Sequence, residues 1–423
     1  MLNAVKIFFF LLCCGMAVGA RATEIALYFP VAVNGPIAAT LRNLIEQFEH
    51  DYPDIHVAPT YAGTYQEALA KTLLAQQNGH PPALAVLFAA DVYALIDAHA
   101  IVPFDEVLAA NNASLPSFFP ALMSNSRLAG KTWGVPFQRS TILLYWNKAM
   151  FREAGLDPDR APQNWREMSA YARQLERKDV KQKITRLGIE IPATGFPYWL
   201  LQGMVTGRGA RLMNATGTQT YFDDPLVIAA LNDWVQLWQS GNAQPQKLSE
   251  WGAVSEDFLQ EKTAMLWTSS GNLRYLQQHA KFDLGVAMLP GAGWQGSPTG
   301  GGNFYLLQGS SAAEQRAALT LVQWLVSPEH TAQWSIASGY IAVTAAAYDT
   351  ERMRAHLAKF PNAAIAKNQL DFAVPELSTH FNQRVTAVLN DAIVAALTGE
   401  QSAQAALQQA QARAVKILLP YQR

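Results

Sequence analysis

The clearest chemical signal in this chain is the run Ser269-Ser270-Gly271, which follows an apolar stretch, Ala264 to Thr268, and precedes a helical one, Asn272 to His279. Free backbone N–H groups at a helix start, with serine hydroxyls beside them, can hold a phosphate or a carboxylate. Serines at that position also serve as ordinary N-caps, and these residues alone leave both readings open. The remaining candidates are weaker. The eight histidines are scattered, with none paired at the i, i+4 spacing that a metal on a helix requires. Asp223-Asp224 precede Pro225 and read as a helix N-cap. There is no G-x-S-x-G elbow, no H-E-x-x-H, no Walker loop and no G-x-G-x-x-G between a strand and a helix. A binding protein is therefore expected rather than an enzyme, with no cofactor and no metal.

The elements that must position these groups alternate in type. Glu24–Phe29, Ile55–Val57 and Ala83–Phe88 read as buried strands. Between them, Ile37, Leu41, Leu44, Ile45 and Phe48 recur at helical spacing, and Gln66–Gln77 is a second helix. The rhythm continues with strands at 141–146, 188–191, 264–268 and 304–307, and with helices at 165–177, 225–238 and 319–326. The C-terminal quarter is helical, notably 384–397 and 403–418. This order predicts an α/β fold with mostly parallel sheets flanked by helices. Residues 291–302, the densest Gly/Pro cluster, break the pattern as a loop.

The N-terminus predicts export. Lys6 precedes an apolar stretch from Ile7 to about Ala17, and Ala20-Arg21-Ala22 presents small residues at a cleavage site. That stretch is too short to span a bilayer, so residues 1–22 are expected to be a signal peptide. Both cysteines, Cys13 and Cys14, lie inside it. The mature chain then has neither disulfides nor thiolate metal sites, and a periplasmic location fits. Of the 32 basic residues, Lys6 and Arg21 leave with the signal; 30 against 33 acidic residues give a net charge of −3. Weak acidity offers no electrostatic footprint for nucleic acid. A mature chain of this length exceeds one core and predicts two domains. Eleven Trp and fourteen Tyr suit either a core or the lining of a sugar or polyol pocket.

The segments Leu143-Leu-Tyr-Trp-Asn-Lys148, Phe151-Arg-Glu-Ala-Gly-Leu-Asp-Pro158 and Pro162-Gln-Asn-Trp165 resemble a signature of the family 1 extracellular solute-binding proteins, the receptors of ABC importers. Pro59–Tyr65, Met265–Gly271, Lys281–Val286 and Ser338-Gly-Tyr340 extend the likeness in order, across nearly the whole mature chain. The resemblance implies two α/β lobes joined by three crossing segments, with the ligand between them. One lobe is expected to comprise residues 23–138 with 303–345, the other 139–302 with 346–423. It also implies a monomer outside the transporter, working with two permease subunits and an ATPase.

Within the family the pattern is most similar to members that take sn-glycerol 3-phosphate. That likeness implies ligand contacts from Tyr65, Ser140, Ser269, Gly301 (with Gly302 as an alternative register), Tyr340 and Arg384, the last pairing with the phosphate. Arg139 adds a second positive charge beside Ser140. Where that pattern has a glutamate for the glycerol hydroxyls, this chain has Ala89, with Asp91 two residues on; the packing aromatic is replaced by Phe196, near Tyr198 and Trp199. The expected solute is thus glycerol 3-phosphate, a glycerophosphodiester or another phosphorylated polyol. A neutral sugar or oligosaccharide is the alternative, and it would dispense with Arg384 and the Ser269 anion site. A periplasmic phosphate-ester hydrolase is the remaining one.

Overall fold

The computed structural model describes residues 22–239, 248–291 and 296–422. The expected signal peptide, apart from Ala22, and both cysteines lie outside the described residues, as do residues 292–295 of the Gly/Pro cluster.

The strand Thr23–Phe29 pairs in parallel with Ile55–Tyr61 on one side and with Leu84–Phe88 on the other. The helix Ile37–Asp51 buries Ile37, Leu41, Leu44, Ile45 and Phe48, the stripe expected from its spacing. The next helix, Tyr65–Gln77, is started by a capping box: Thr64 accepts from the Glu67 N–H, and Glu67 accepts from that of Thr64.

Beyond Leu84–Phe88 the sheet changes character. The strand Ser297–Leu307 runs antiparallel to it and to the long strand Val135–Asn147. Val135–Asn147 in turn takes Met265–Ser269 and Leu284–Ala287, both antiparallel. The sheet is therefore mixed rather than mostly parallel. The reason is that the chain leaves the first lobe along Val135–Asn147 and comes back beside it along Ser297–Leu307. The expected loop ends earlier than its glycines suggested, because residues 297–302 are strand. Gly301 has φ +93, and a Cβ there would lie 1.8 Å from the Gln138 carbonyl oxygen. Only glycine supports this close antiparallel approach. Gly188–Ile191 forms no named strand; Glu190 makes only an isolated parallel bridge to Leu266.

Two large clusters form the core. One gathers Phe48, Phe137, Phe304 and Trp334 around the parallel strands. The other holds Trp165, Trp234 and Trp267 with Leu389 and Leu407. The helix Glu351–Lys359 packs on Pro328–Ser338, and Ala366 and Leu370 still belong to the first cluster. The segment 373–378 joins the two clusters, with Ala373 packed against the first and Leu377 in the second. The C-terminal helices Asn382–Leu397 and Ala403–Leu418 then pack on each other and on Pro225–Leu237. Among the described residues, no helix is long and apolar enough to cross a membrane.

Candidate ligand-binding site

Where the three passages between the lobes meet, Tyr65, Ser140, Ser269, Gly301 and Tyr340 line one cavity. Tyr65 opens its capped helix and donates from its hydroxyl to Gln138 Oε1 at 3.0 Å. Ser140 lies on the first crossing strand, opposite Gly300 of the second. Ser269 ends its strand, and its Oγ accepts from the Gly271 N–H at 3.0 Å. The hydroxyl oxygen thus works as a cap, which leaves its hydrogen free for a ligand. Tyr340 follows Gly339, whose left-handed conformation ends the preceding helix, and its ring lies parallel to that of Trp334. Burial pushes the phenols of Tyr65 and Tyr340 above their ordinary range, so both are neutral.

Arg384 is not among these residues. It is exposed in the first turn of Asn382–Leu397, with its guanidinium over the Phe381 ring at 5.3 Å. Residues three and four apart share a helix face, and the face that turns inward carries Asn382, Val385 and Thr386. Arg139 is fully buried but lies behind the cavity wall. It donates from Nη1 to Asn303 at 3.1 Å and from Nη2 to Thr299 at 3.0 Å, while its Nε has no partner. The direction follows from the strand, because neighbouring residues point to opposite faces and Ser140 takes the cavity side.

Ala89 is buried outside the cavity wall. Asp91 is buried too, accepts from Asn382 Nδ2 at 3.3 Å, and has its carboxyl raised by burial to about 6. It borders a neighbouring cavity and does not line this one.

The carboxyl that does line the cavity is Glu376, which no sequence motif marked. It is fully buried. Oε1 accepts from the Tyr198 hydroxyl at 2.8 Å and Oε2 has no partner. Burial raises it to about 8, against the opposing pull of the Tyr198 hydrogen bond and the Arg139 charge.

Aromatic rings supply most of the remaining wall. Tyr65 and Phe88 are 4.8 Å apart between centroids, Phe88 and Phe196 5.8 Å, Phe196 and Trp251 5.1 Å, and Trp251 and Trp199 6.0 Å. The indole N–H groups are committed, that of Trp199 to the Thr299 carbonyl at 3.0 Å and that of Trp251 to Ala32 at 2.8 Å. The rings therefore offer faces rather than donors. The cavity is about 30 Å³, room for a water-sized group, so a solute of several heavy atoms enters only as the lobes part. The wall can stack a ligand, donate to it from two serines and accept at Glu376. Among the described residues, no group of three His, Cys, Asp or Glu could hold a metal ion.

Two lobes, three passages and an aromatic cavity between them define a solute-binding receptor. Residues 43–362 match the family described as bacterial extracellular solute-binding protein. The chain belongs to that family: an extracytoplasmic binding component of ABC importers, which holds a solute and does not transform it. It is 27% identical to the sn-glycerol-3-phosphate-binding periplasmic protein UgpB of Pectobacterium atrosepticum, covering 95% of this chain and 93% of the relative. The UgpB of Escherichia coli O6:K15:H31 is 25% identical, over 97% and 96%. Among solved structures, UgpB from Mycobacterium tuberculosis in complex with glycerophosphocholine superposes with a TM-score of 0.83 at 24% identity, covering 93% and 98%. The Listeria monocytogenes substrate-binding protein Lmo0181, in complex with cycloalternan, gives 0.81 at 18% identity, over 93% and 98%.

Proposed function

We propose that this protein is the periplasmic receptor of an ABC importer that captures a small, uncharged, hydroxyl-rich solute, a sugar or a polyol, and presents it to two permease subunits driven by an ATPase. The observation that carries the reading is the cavity wall: ring faces of Phe196, Trp199 and Trp251 beside a carboxyl with a free oxygen, and no unpaired cation. Aromatic faces accept the apolar face of a sugar ring, and the buried Glu376 carboxyl, protonated below about 8, can both donate to and accept from its hydroxyls. A phosphate dianion would sit beside Glu376 with its nearest cation, Arg139, turned away and engaged, and burying such a charge unpaired is costly.

A second reading, glycerol 3-phosphate or a glycerophosphodiester, is favoured by one observation. Ser140, Ser269, Gly301 and the two phenols do converge on this cavity, as the likeness to glycerol-3-phosphate-binding proteins implies. Calorimetric titration of the mature chain with mono- and oligosaccharides, glycerol 3-phosphate and glycerophosphocholine, repeated on Glu376→Gln, separates the two. Above pH 8, where the Glu376 carboxyl is ionised, the substitution should weaken a sugar and strengthen a phosphate ester held in the same cavity. Stronger phosphate-ester binding in Glu376→Gln, with no sugar bound by the wild type, would overturn the leading reading.

A further inference from the structure

The segment that brings Glu376 to the ligand cavity borders a second cavity as well. Glu376 lines the first, and Pro375 and Ser378 line the second. This segment is firmly held. Gln202 donates to the Pro375 carbonyl and accepts from the Leu377 N–H, while Asn125 makes the same pair of bonds to the Glu376 backbone. The second cavity is about 360 Å³, within the range of pockets that hold small organic molecules.

Its charge is of one sign. Arg127, from the first lobe, and Arg211, from the loop after the helix Pro197–Thr206, both line it, and no Asp or Glu does. Neither guanidinium has a hydrogen bond or an ion pair to a described residue, whereas Arg208 nearby is paired with Asp233. The loop bearing Arg211 already reaches across to the first lobe, where the Tyr93 hydroxyl donates to the Ala215 carbonyl at 3.1 Å. The arginines thus come from opposite sides of a closure that this loop spans.

We propose that this cavity is a second ligand site, for the phosphoryl group of a small phosphate ester, with Arg127 and Arg211 as its two cationic contacts. Two guanidinium groups match the charge of a phosphate dianion and offer planar, paired donors. An anion held by both draws the lobes together, so its binding favours the closed arrangement without occupying the aromatic cavity. The site differs from the first in every respect that selects a ligand: it is roomier, it has two free cations and it has no carboxyl.

The test is calorimetry of the mature chain with glycerol 3-phosphate and with inorganic phosphate, at low and at raised salt. Both arginines are exposed, so the double variant Arg127→Gln/Arg211→Gln should fold, as a melting curve can verify. At least one of the two anions should bind the wild type and weaken with salt. The double variant should lose at least tenfold in affinity for it, and Trp199→Ala in the first cavity should leave it within about twofold. No binding of either anion to the wild type overturns the proposal, and so does equal binding to the double variant. A loss as large in Trp199→Ala, with a melting curve showing that variant folded at the titration temperature, overturns it too, by assigning the anion to the aromatic cavity. Sugar titrations of the same proteins report on the first cavity independently.

Discussion

The two cavities bordered by the segment 374–378 share a backbone and almost nothing else. The first is small and walled by aromatic rings around one buried carboxyl; the second is an order of magnitude larger and carries two free guanidinium groups. A segment of five residues borders both because Glu376 turns to one side and Val374, Pro375 and Ser378 to the other. The fold is shared with sugar- and glycerophosphodiester-bound neighbours alike, so the contrast between the cavities rests on the charged side chains that line each of them.

The largest test of that contrast is Trp199→Ala. Its ring packs closely over Gly300, where a Cβ would lie 2.5 Å from the indole, and forms part of the stacking surface. Truncating a buried Trp costs about 3–5 kcal/mol of stability, and the variant should also lose at least tenfold in sugar affinity. Calorimetry and melting curves read both losses. Retained sugar affinity would remove the aromatic wall from recognition.

Glu376→Gln comes next, and its effect has a sign in pH. The folded-state value of Glu376, about 8, exceeds the ordinary 4.5, so the folded chain holds a proton that the unfolded chain has released. Its contribution to stability is fully present below 4.5 and is lost as pH rises through 8. Asp91, raised to about 6, and Glu190, raised to about 7, act in the same direction. The wild-type melting temperature should fall from pH 5.5 to pH 8.5. Glu376→Gln should flatten that fall without abolishing it. An unaltered slope would mean that Glu376 is ionised throughout in the folded protein.

Much of this architecture was legible in the chain, and the reasons for the exceptions are physical. The helix Ile37–Asp51 and the C-terminal helices Asn382–Leu397 and Ala403–Leu418 show their periods because each buries one stripe. The antiparallel crossing strands were hidden because direction depends on where the chain returns, which no local period records. Ser297–Leu307 was hidden further by glycines that a close approach requires and a loop also favours. Tyr65, Ser140, Ser269, Gly301 and Tyr340 came together from motifs spread over most of the chain. Glu376 carried no such signal: flanked by Pro375 and Leu377, it becomes a wall residue only when the third passage crosses the other two. The direction of Arg139 is legible in the sequence, since a residue next to Ser140 on a strand faces the other way.

Arg384→Ala should have the smallest effect, and it probes the boundary between sequence motif and structure most directly. The likeness to glycerol-3-phosphate-binding proteins implies a phosphate contact for this residue, and its loss would then cost tenfold or more in affinity. In the structure its guanidinium rests on Phe381 at the surface and does not line the aromatic cavity. An exposed cation of that kind acts through a screened field alone. The variant should therefore bind a sugar, or glycerol 3-phosphate, within about twofold of the wild type at physiological salt. A tenfold loss for glycerol 3-phosphate alone would show that the first turn of this helix rotates inward when the solute is bound. It would also restore the phosphate reading of the first cavity.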